Sequence, residues 1–159
     1  MKPLLLSTVV LLLVLTAACK KEKADQVGFV PTEPIPGNVE VTMQPAGTRY
    51  GETVPFSLYC ETVYNYPSSF HRISYSVTKK SSGYEIALNN VEKVGLLTAF
   101  GPAICYVPMD GLYNGTYDLS FILNGATSRY TLIVSSQSYK IVPADQNGGV
   151  LFTSDELIR

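Results

Sequence analysis

The chain of 159 residues contains no tryptophan, one histidine and three cysteines, and only 16% of its residues are charged. One histidine and the lack of a Cys-x-x-Cys spacing leave too few ligands for a zinc-type site, so we predict neither a metal nor another cofactor. The 12 basic and 13 acidic residues nearly cancel. Because nucleic-acid binders need a concentrated basic face, this balance argues against a nucleic-acid partner.

The chain also lacks the residue groupings that catalysis needs. A nucleophile requires a positioned base and a third, orienting group, and no Gly-rich phosphate-binding loop is present in the sequence. His71 follows a loop-like stretch, Asp110 precedes a glycine as turn residues do, and the alternation around Asp118 indicates a solvent-facing strand residue. We therefore predict that the protein is not an enzyme.

The N-terminus carries an export signal. Lys2 precedes the apolar run 4–15, which is shorter than the ~20 residues that a membrane-spanning helix needs. The small residues 16–18 and the following Cys19 resemble the lipobox of bacterial lipoproteins, in which the cysteine is acylated and the segment before it is cleaved. This resemblance implies a signal peptide over residues 1–18 and lipid attachment at Cys19. The alternatives are an ordinary secretory signal or a signal anchor.

The lipoprotein resemblance also predicts a location. Several acyl chains make attachment stable, because each buried methylene contributes ~0.8 kcal/mol. In the enterobacterial lipoproteins that this signal resembles, an Asp after the cysteine retains the protein at the inner membrane, and Lys20 stands there instead. The resemblance thus implies a lipid-anchored protein of the cell envelope, at the outer membrane and facing either the periplasm or the surface.

The segment after the anchor is rich in proline. Pro31, Pro34 and Pro36 disfavour both regular helix and interior strand. Residues 19–37 are therefore predicted to be a flexible Pro-rich tether, which at ~3 Å per residue would hold a domain away from the bilayer.

Beyond Gly37, apolar and polar residues alternate with a period of two, which is typical of strands with one buried face. The clearest segments are Val39–Met43, Val54–Leu58, Ile73–Val77, Tyr117–Leu123 and Tyr130–Val134, with weaker ones at Tyr84–Leu88, Gly95–Phe100 and Ala103–Val107. Between two of them, Asn124-Gly125 predicts a type I′ hairpin. The spacing predicts an all-β fold, with an antiparallel β-sandwich over residues 38–135 and an up-and-down barrel as the alternative.

One stretch carries a resemblance to a known architecture. Asp110–Leu119 resembles the entry to the penultimate strand of immunoglobulin-like and fibronectin-like domains. In those domains a Gly-x-Tyr precedes an alternating strand and a closing hairpin, and the tyrosine hydroxyl caps the corner. The resemblance implies an immunoglobulin-like β-sandwich over residues 38–135 and, by itself, no function.

Two cysteines remain once Cys19 is assigned to the anchor. Cys60 and Cys105 form an even pair in a compartment where disulfides persist. A bridge would close a loop of about 46 residues and stabilise the fold by ~4 kcal/mol in the chain-entropy model. We predict this disulfide, with two buried free thiols as the alternative.

Aromatic residues are concentrated between the second and third predicted strands. The chain contains 11 Tyr against 6 Phe, and tyrosine offers a large contact area with a hydrogen-bonding tip, which suits protein and sugar recognition. We predict Tyr64, Tyr66, Phe70 and His71 as ligand-binding residues. The alternative is that they fold over the end of the sandwich as a local cap.

The C-terminal extension, residues 136–159, is too apolar to be simply disordered. The segment 138–143 predicts an edge strand, and residues 146–149 interrupt it. Residues 153–156 have the form of a capping box, which would begin a helical turn. The extension is expected either to pack on its own domain or to add a strand to a partner's sheet.

These features predict a membrane-anchored envelope lipoprotein that acts as a non-catalytic binding or assembly module. Its partners would be membrane lipid, through the acylated Cys19, and an envelope protein or glycan. The alternatives are a periplasmic inhibitor or chaperone-like factor, and a carbohydrate-binding surface module.

Overall fold

The fold is taken from a computed structural model, which describes residues 31–49, 52–67, 70–95 and 100–159. The predicted signal peptide 1–18, the predicted lipid site Cys19 and most of the weak strand predicted at Gly95–Phe100 lie outside these residues. All the regular structure within the described ranges is β-strand, which confirms the all-β prediction.

The strands follow one another closely along the described chain. In chain order they are β1 (Thr32–Glu33), β2 (Val39–Arg49), β3 (Glu52–Tyr66), β4 (Phe70–Lys80), β5 (Gly83–Gly95), β6 (Gly101–Met109), β7 (Gly115–Leu123), β8 (Ala126–Val134), β9 (Ser138–Asp145), β10 (Val150–Phe152) and β11 (Glu156–Ile158). The strong segments and two of the three weak ones predicted from the alternation all fall within these strands.

A single curled sheet holds the strands, in the order β10-β2-β3-β6-β4-β5-β7-β8-β9-β11, with β1 beside β5. The pairs β4–β6, β5–β7 and β10–β2 are parallel, and the other pairs are antiparallel. The sheet forms a half-barrel, in which the rings of Phe56 on β3 and Tyr139 on β9 lie 4.3 Å apart. An immunoglobulin-like sandwich is built of antiparallel sheets, so the mixed sheet leaves that finer prediction unconfirmed.

The predicted alternation buries the core. On β2 the side chains of Val39, Val41 and Met43 are at most 4% exposed, while the residues between them are partly exposed. Burial of one such side chain contributes ~1.5–3 kcal/mol. Val77 on β4 departs from this pattern and is 41% exposed; it lies beyond the one register pair of β4 with β6, Arg72 with Ile104.

Local turn chemistry agrees with the sequence. Asn124 and Gly125 have φ angles of 51° and 81° and join β7 to β8 in the predicted type of hairpin. In the stretch that resembles an immunoglobulin-like strand entry, the Tyr117 hydroxyl donates to the Tyr113 carbonyl at 2.9 Å and accepts from the Tyr113 N–H at 3.0 Å. The corner before β7 is therefore capped by a tyrosine.

The C-terminal extension is part of the sheet. Strand β9 pairs with both β8 and β11, β10 pairs with β2, and β11 also lies against β2. Residues 150–158 therefore connect the two edges of the curled sheet. The predicted helical turn at 153–156 is wrong, because the Thr153 hydroxyl bonds to the Val41 carbonyl and to Thr42 instead of capping a helix.

The folded region also begins inside the predicted tether. Strand β1 pairs Thr32 with Glu92 and Glu33 with Val91 of β5. Ile35 is 1% exposed, and its carbonyl accepts a hydrogen bond from the Asn124 side chain at 2.9 Å. From residue 31 onward, the proline-rich segment thus packs on the domain.

The two remaining cysteines lie directly opposite each other. Cys60 of β3 and Cys105 of β6 are register partners, both are buried, and both are free thiols, so the predicted disulfide is absent from the structure. The sequence pattern did not decide whether the Cys105 side chain faces the core, and in the structure it does. A hydrogen bond with Cys105 and burial raise the pKa of the Cys60 thiol well above its ordinary value.

We expect neither thiol to react with a maleimide in the folded protein, because both are buried, and at Cys60 a raised pKa also disfavours the reactive thiolate. Both should react in denaturant, adding two labels per Cys19→Ala chain by mass spectrometry. If neither cysteine is labelled after unfolding without reductant, the free-thiol state is contradicted and the predicted disulfide is supported.

Candidate functional site

The site begins at an irregularity near the end of β3. The pairing of β3 with β6 shifts register between Glu61 and Asn65. The hydroxyl of Thr62, a residue that is 2% exposed, donates to the Tyr64 carbonyl at 2.7 Å and accepts from the Ala103 N–H at 2.9 Å. Near this irregularity the period of two is broken: Tyr64 is 51% exposed, whereas Thr62 and Tyr66, two residues away on either side, are buried.

Three of the four predicted binding residues form one aromatic cluster. The rings of Tyr64 and Tyr66 meet edge to face with centroids 5.0 Å apart. The ring of Tyr66 stacks on His71 at 4.3 Å with an interplanar angle of 29°. The backbone of Phe70 begins β4, but its side chain lies outside the described part of the structure. The structure therefore brings side chains of β3 and β4 together in one cluster.

This aromatic cluster lines a cleft of about 620 Å³. The proline-rich segment, including Pro34 and Pro36, also lines this cleft, as do Val91 and Lys93 of β5. Ligand pockets commonly have volumes of ~300–1,000 Å³. The sequence prediction did not include the prolines, because they were assigned to a tether. It also did not include Lys93, because no sequence pattern places the end of β5 beside the proline-rich segment.

The Tyr66 hydroxyl is the unusual group of this cleft. It is buried and has no hydrogen-bond partner among the residues that the structure describes. Burial first, then the negative charges of Glu33 and of ionised Tyr64, raise the pKa of Tyr66 to about 12. The group is therefore a protonated donor at physiological pH. A buried, unsatisfied hydroxyl costs ~1–3 kcal/mol, and such groups in native proteins call for an explanation.

A second, more polar cleft of about 370 Å³ lies beside β5, β7 and β8 and includes Asp118. Its cationic side chains are already paired, because Lys80 bonds to Glu85 at 2.5 Å and Arg129 lies 3.6 Å from Asp145. This cleft holds no buried group in need of a partner among the described residues. The aromatic cleft is therefore the stronger candidate for a ligand site.

The titratable side chains of the described residues are not grouped as a metal site needs. In this part of the chain, His, Cys, Asp and Glu side chains form no group of three or more that could hold a metal ion. Asp110, at the turn after β6, accepts a hydrogen bond from Tyr84 through its backbone carbonyl, and Asp118 lies at the other cleft. The arrangement of the aromatic cleft suits reversible capture of a ligand by stacking and hydrogen bonding.

Comparison with known proteins finds no matching family model, no similar curated protein and no similar solved structure. Among the residues that the structure describes, we find no helix that could span a membrane.

Replacing Tyr66 by Phe should change the response to alkali. In the folded protein Tyr66 stays protonated up to about pH 12, whereas the unfolded residue ionises near its ordinary pKa of 10.0. Because the unfolded state ionises first, the free energy of unfolding of the wild-type protein should fall as the pH rises from 10 towards 12. Tyr66→Phe should raise the free energy of unfolding by about 1 kcal/mol at pH 7 and flatten this loss.

Urea titrations at pH 7, 10 and 11 measure this effect. Tyr113→Phe is the matched control, because Tyr113 is 80% exposed and should leave both the stability and its pH dependence unchanged. An equally steep alkaline loss in Tyr66→Phe and in the wild type would contradict the assigned environment of Tyr66.

Proposed function

We propose that the protein is a non-catalytic binding or assembly module of the cell envelope, anchored by acylated Cys19, that captures its partner in the aromatic cleft. The observation that carries this proposal is the buried Tyr66 hydroxyl without a hydrogen-bond partner among the described residues, in a cleft of ligand size. A ligand that accepts this hydrogen bond would remove the cost of the unsatisfied group. The exposed ring of Tyr64 supplies adjoining contact area.

The position of the cleft supports a role at the membrane surface. Eleven residues, 20–30, separate Cys19 from Pro31, and Pro31 lines the cleft. At ~3.5 Å per extended residue, this segment spans at most about 40 Å. The proposed anchor therefore keeps the cleft within reach of the bilayer, at the outer membrane if the location predicted from Lys20 holds.

An immunoglobulin-like relationship is a further part of the proposal. The tyrosine corner formed by Tyr117 and the Asn124-Gly125 hairpin support it. The runner-up function is a carbohydrate-binding surface module, which the half-exposed ring of Tyr64 favours as a stacking platform. For both candidate functions, the proposal depends on the residues of the cleft and not on the fold.

Photo-crosslinking in the native envelope tests the binding proposal. A photoreactive phenylalanine at position 64 should form a specific adduct on irradiation, because this side chain lines the cleft and its exposure lets the fold tolerate the change. The same amino acid at position 113, which is 80% exposed and outside the lining of the cleft, is the matched control. Equal adducts at both positions, or none at position 64, would contradict the proposal.

The anchor is tested separately with Cys19→Ala. This variant should lose acyl labelling and appear in the fraction that is extracted without detergent. A variant that keeps its acyl label or still requires detergent would overturn the lipid attachment, but it would leave the cleft untouched.

A further inference from the structure

We infer that the occupant of the aromatic cleft is a proline-rich segment of a partner protein, bound in the extended polyproline II conformation. This inference rests on the proposed binding function of the cleft and names the class of its ligand. Two independent properties of the lining lead to it: the rings that it exposes and the balance of its hydrogen-bonding groups.

The lining combines proline and tyrosine rings. Pro34, Pro36 and Pro67 line the cleft together with Tyr64 and Tyr66. Polyproline segments bind between ridges of aromatic and proline side chains, because their preformed conformation costs little entropy on binding. The lining therefore offers the kind of rings against which such a segment packs.

The hydrogen-bonding groups favour a ligand that mainly accepts. Tyr66 offers a buried hydroxyl without an acceptor among the described residues, and Lys93 contributes an ammonium group to the same cleft. A proline-rich segment presents backbone carbonyls but lacks most backbone N–H donors, so it meets this requirement without leaving donors of its own buried.

A saccharide has the opposite requirement. Each hydroxyl brings a donor as well as acceptor sites, whereas the Lys93 ammonium in the lining can only donate. This difference favours the peptide over the glycan.

A defined probe tests the inference. The full-length lipidated protein in detergent micelles is titrated with fluorescein-labelled decaproline, and fluorescence anisotropy reports binding. We expect saturable 1:1 binding that Tyr66→Phe weakens about tenfold, because one hydrogen bond to a buried donor is lost. Tyr64→Ala should weaken it at least as much, and Tyr113→Ala should not change it.

Two other ligands serve as comparisons in the same assay: a glycine-serine decapeptide and a hexasaccharide of N-acetylglucosamine. Equal binding of the glycine-serine peptide, preferred binding of the hexasaccharide, or no decaproline binding would each overturn the inference, as would an unchanged affinity in folded Tyr66→Phe. Circular dichroism and urea titration establish that each variant is folded. If the crosslink at position 64 persists while decaproline fails to bind, the ligand class is wrong and the binding function stands; if both fail, the binding function is wrong as well.

Discussion

Deletion of residues 150–159 is expected to unfold the domain at 25 °C. Val150 is fully buried, and its carbonyl accepts the hydrogen bond of the buried Tyr130 hydroxyl. The ring of Phe152 packs edge to face on Tyr130 at 4.8 Å and on Phe121 at 5.8 Å. The deletion thus removes the full burial of Val150, which contributes ~1.5–3 kcal/mol, the partial burial of Phe152, and the hydrogen bond from Tyr130 to the Val150 carbonyl, which contributes a further ~0.5–1.5 kcal/mol.

The sum of these losses approaches the lower end of the stability of an ordinary domain, ~5–15 kcal/mol. The deletion also uncovers the edge of β2, which pairs with β10. Circular dichroism and urea titration should show no cooperative transition. A shorter deletion of residues 156–159 is the control, because β11 is mostly exposed, and it should lower the urea midpoint while keeping a cooperative transition. A cooperative transition near the wild-type midpoint after the longer deletion would show that the two edges do not depend on this segment.

Replacement of Gly83 by Ala should cost several kcal/mol, about 3 or more. A Cβ at this position would lie 1.8 Å from the backbone carbonyl oxygen of Asp118 and 2.7 Å from its backbone nitrogen. Gly83 begins the parallel pairing of β5 with β7, and the Asp118 N–H bonds to the Ser82 carbonyl at 2.8 Å beside it. Because the contact is with backbone, relief requires β7 to move away from β5 at the start of their pairing.

The chain supplies a matched control for this substitution. A Cβ added to Gly101, at the start of β6, would meet no atom of the described chain within 4 Å, and Gly101 needs no left-handed φ. Gly101→Ala should therefore be neutral or raise the stability by ~0.4–1 kcal/mol, since alanine restricts the unfolded chain. Differential scanning calorimetry of both variants measures the contrast. Similar melting temperatures for the two would contradict the close approach of β5 and β7.

Structure that depends on neighbours in sequence was predictable. The Asn124-Gly125 turn needs positive φ at both residues, and these residue types tolerate it at low cost. The strand segments follow from the period of two, because one face of each strand is buried. The capping-box prediction at 153–156 failed for the opposite reason: its side chains bond to β2, more than a hundred residues away in the chain.

The candidate site was predictable only in part. Tyr64, Tyr66 and His71 stand close together in sequence, at the end of β3 and the start of β4, and their rings meet in the fold. The contributions of Pro34, Pro36 and Lys93 come from distant segments. At the register shift near Thr62, the Thr62 hydroxyl accepts a hydrogen bond from the Ala103 N–H of another strand. No local pattern encodes such a contact.

By itself, the sequence determined that the chain makes strands, where its best hairpin turns, which residues face inward on most strands, and that aromatic residues gather before β4. These properties depend on backbone preferences and on the burial of one side-chain face, which are local. Only the tertiary structure decided the strand order with its parallel pairs, the meeting of Cys60 with Cys105, and the closure of both sheet edges by residues 150–158. It alone also enclosed the Tyr66 hydroxyl without a partner among the described residues, because burial and hydrogen bonding at one atom depend on every segment that packs around it.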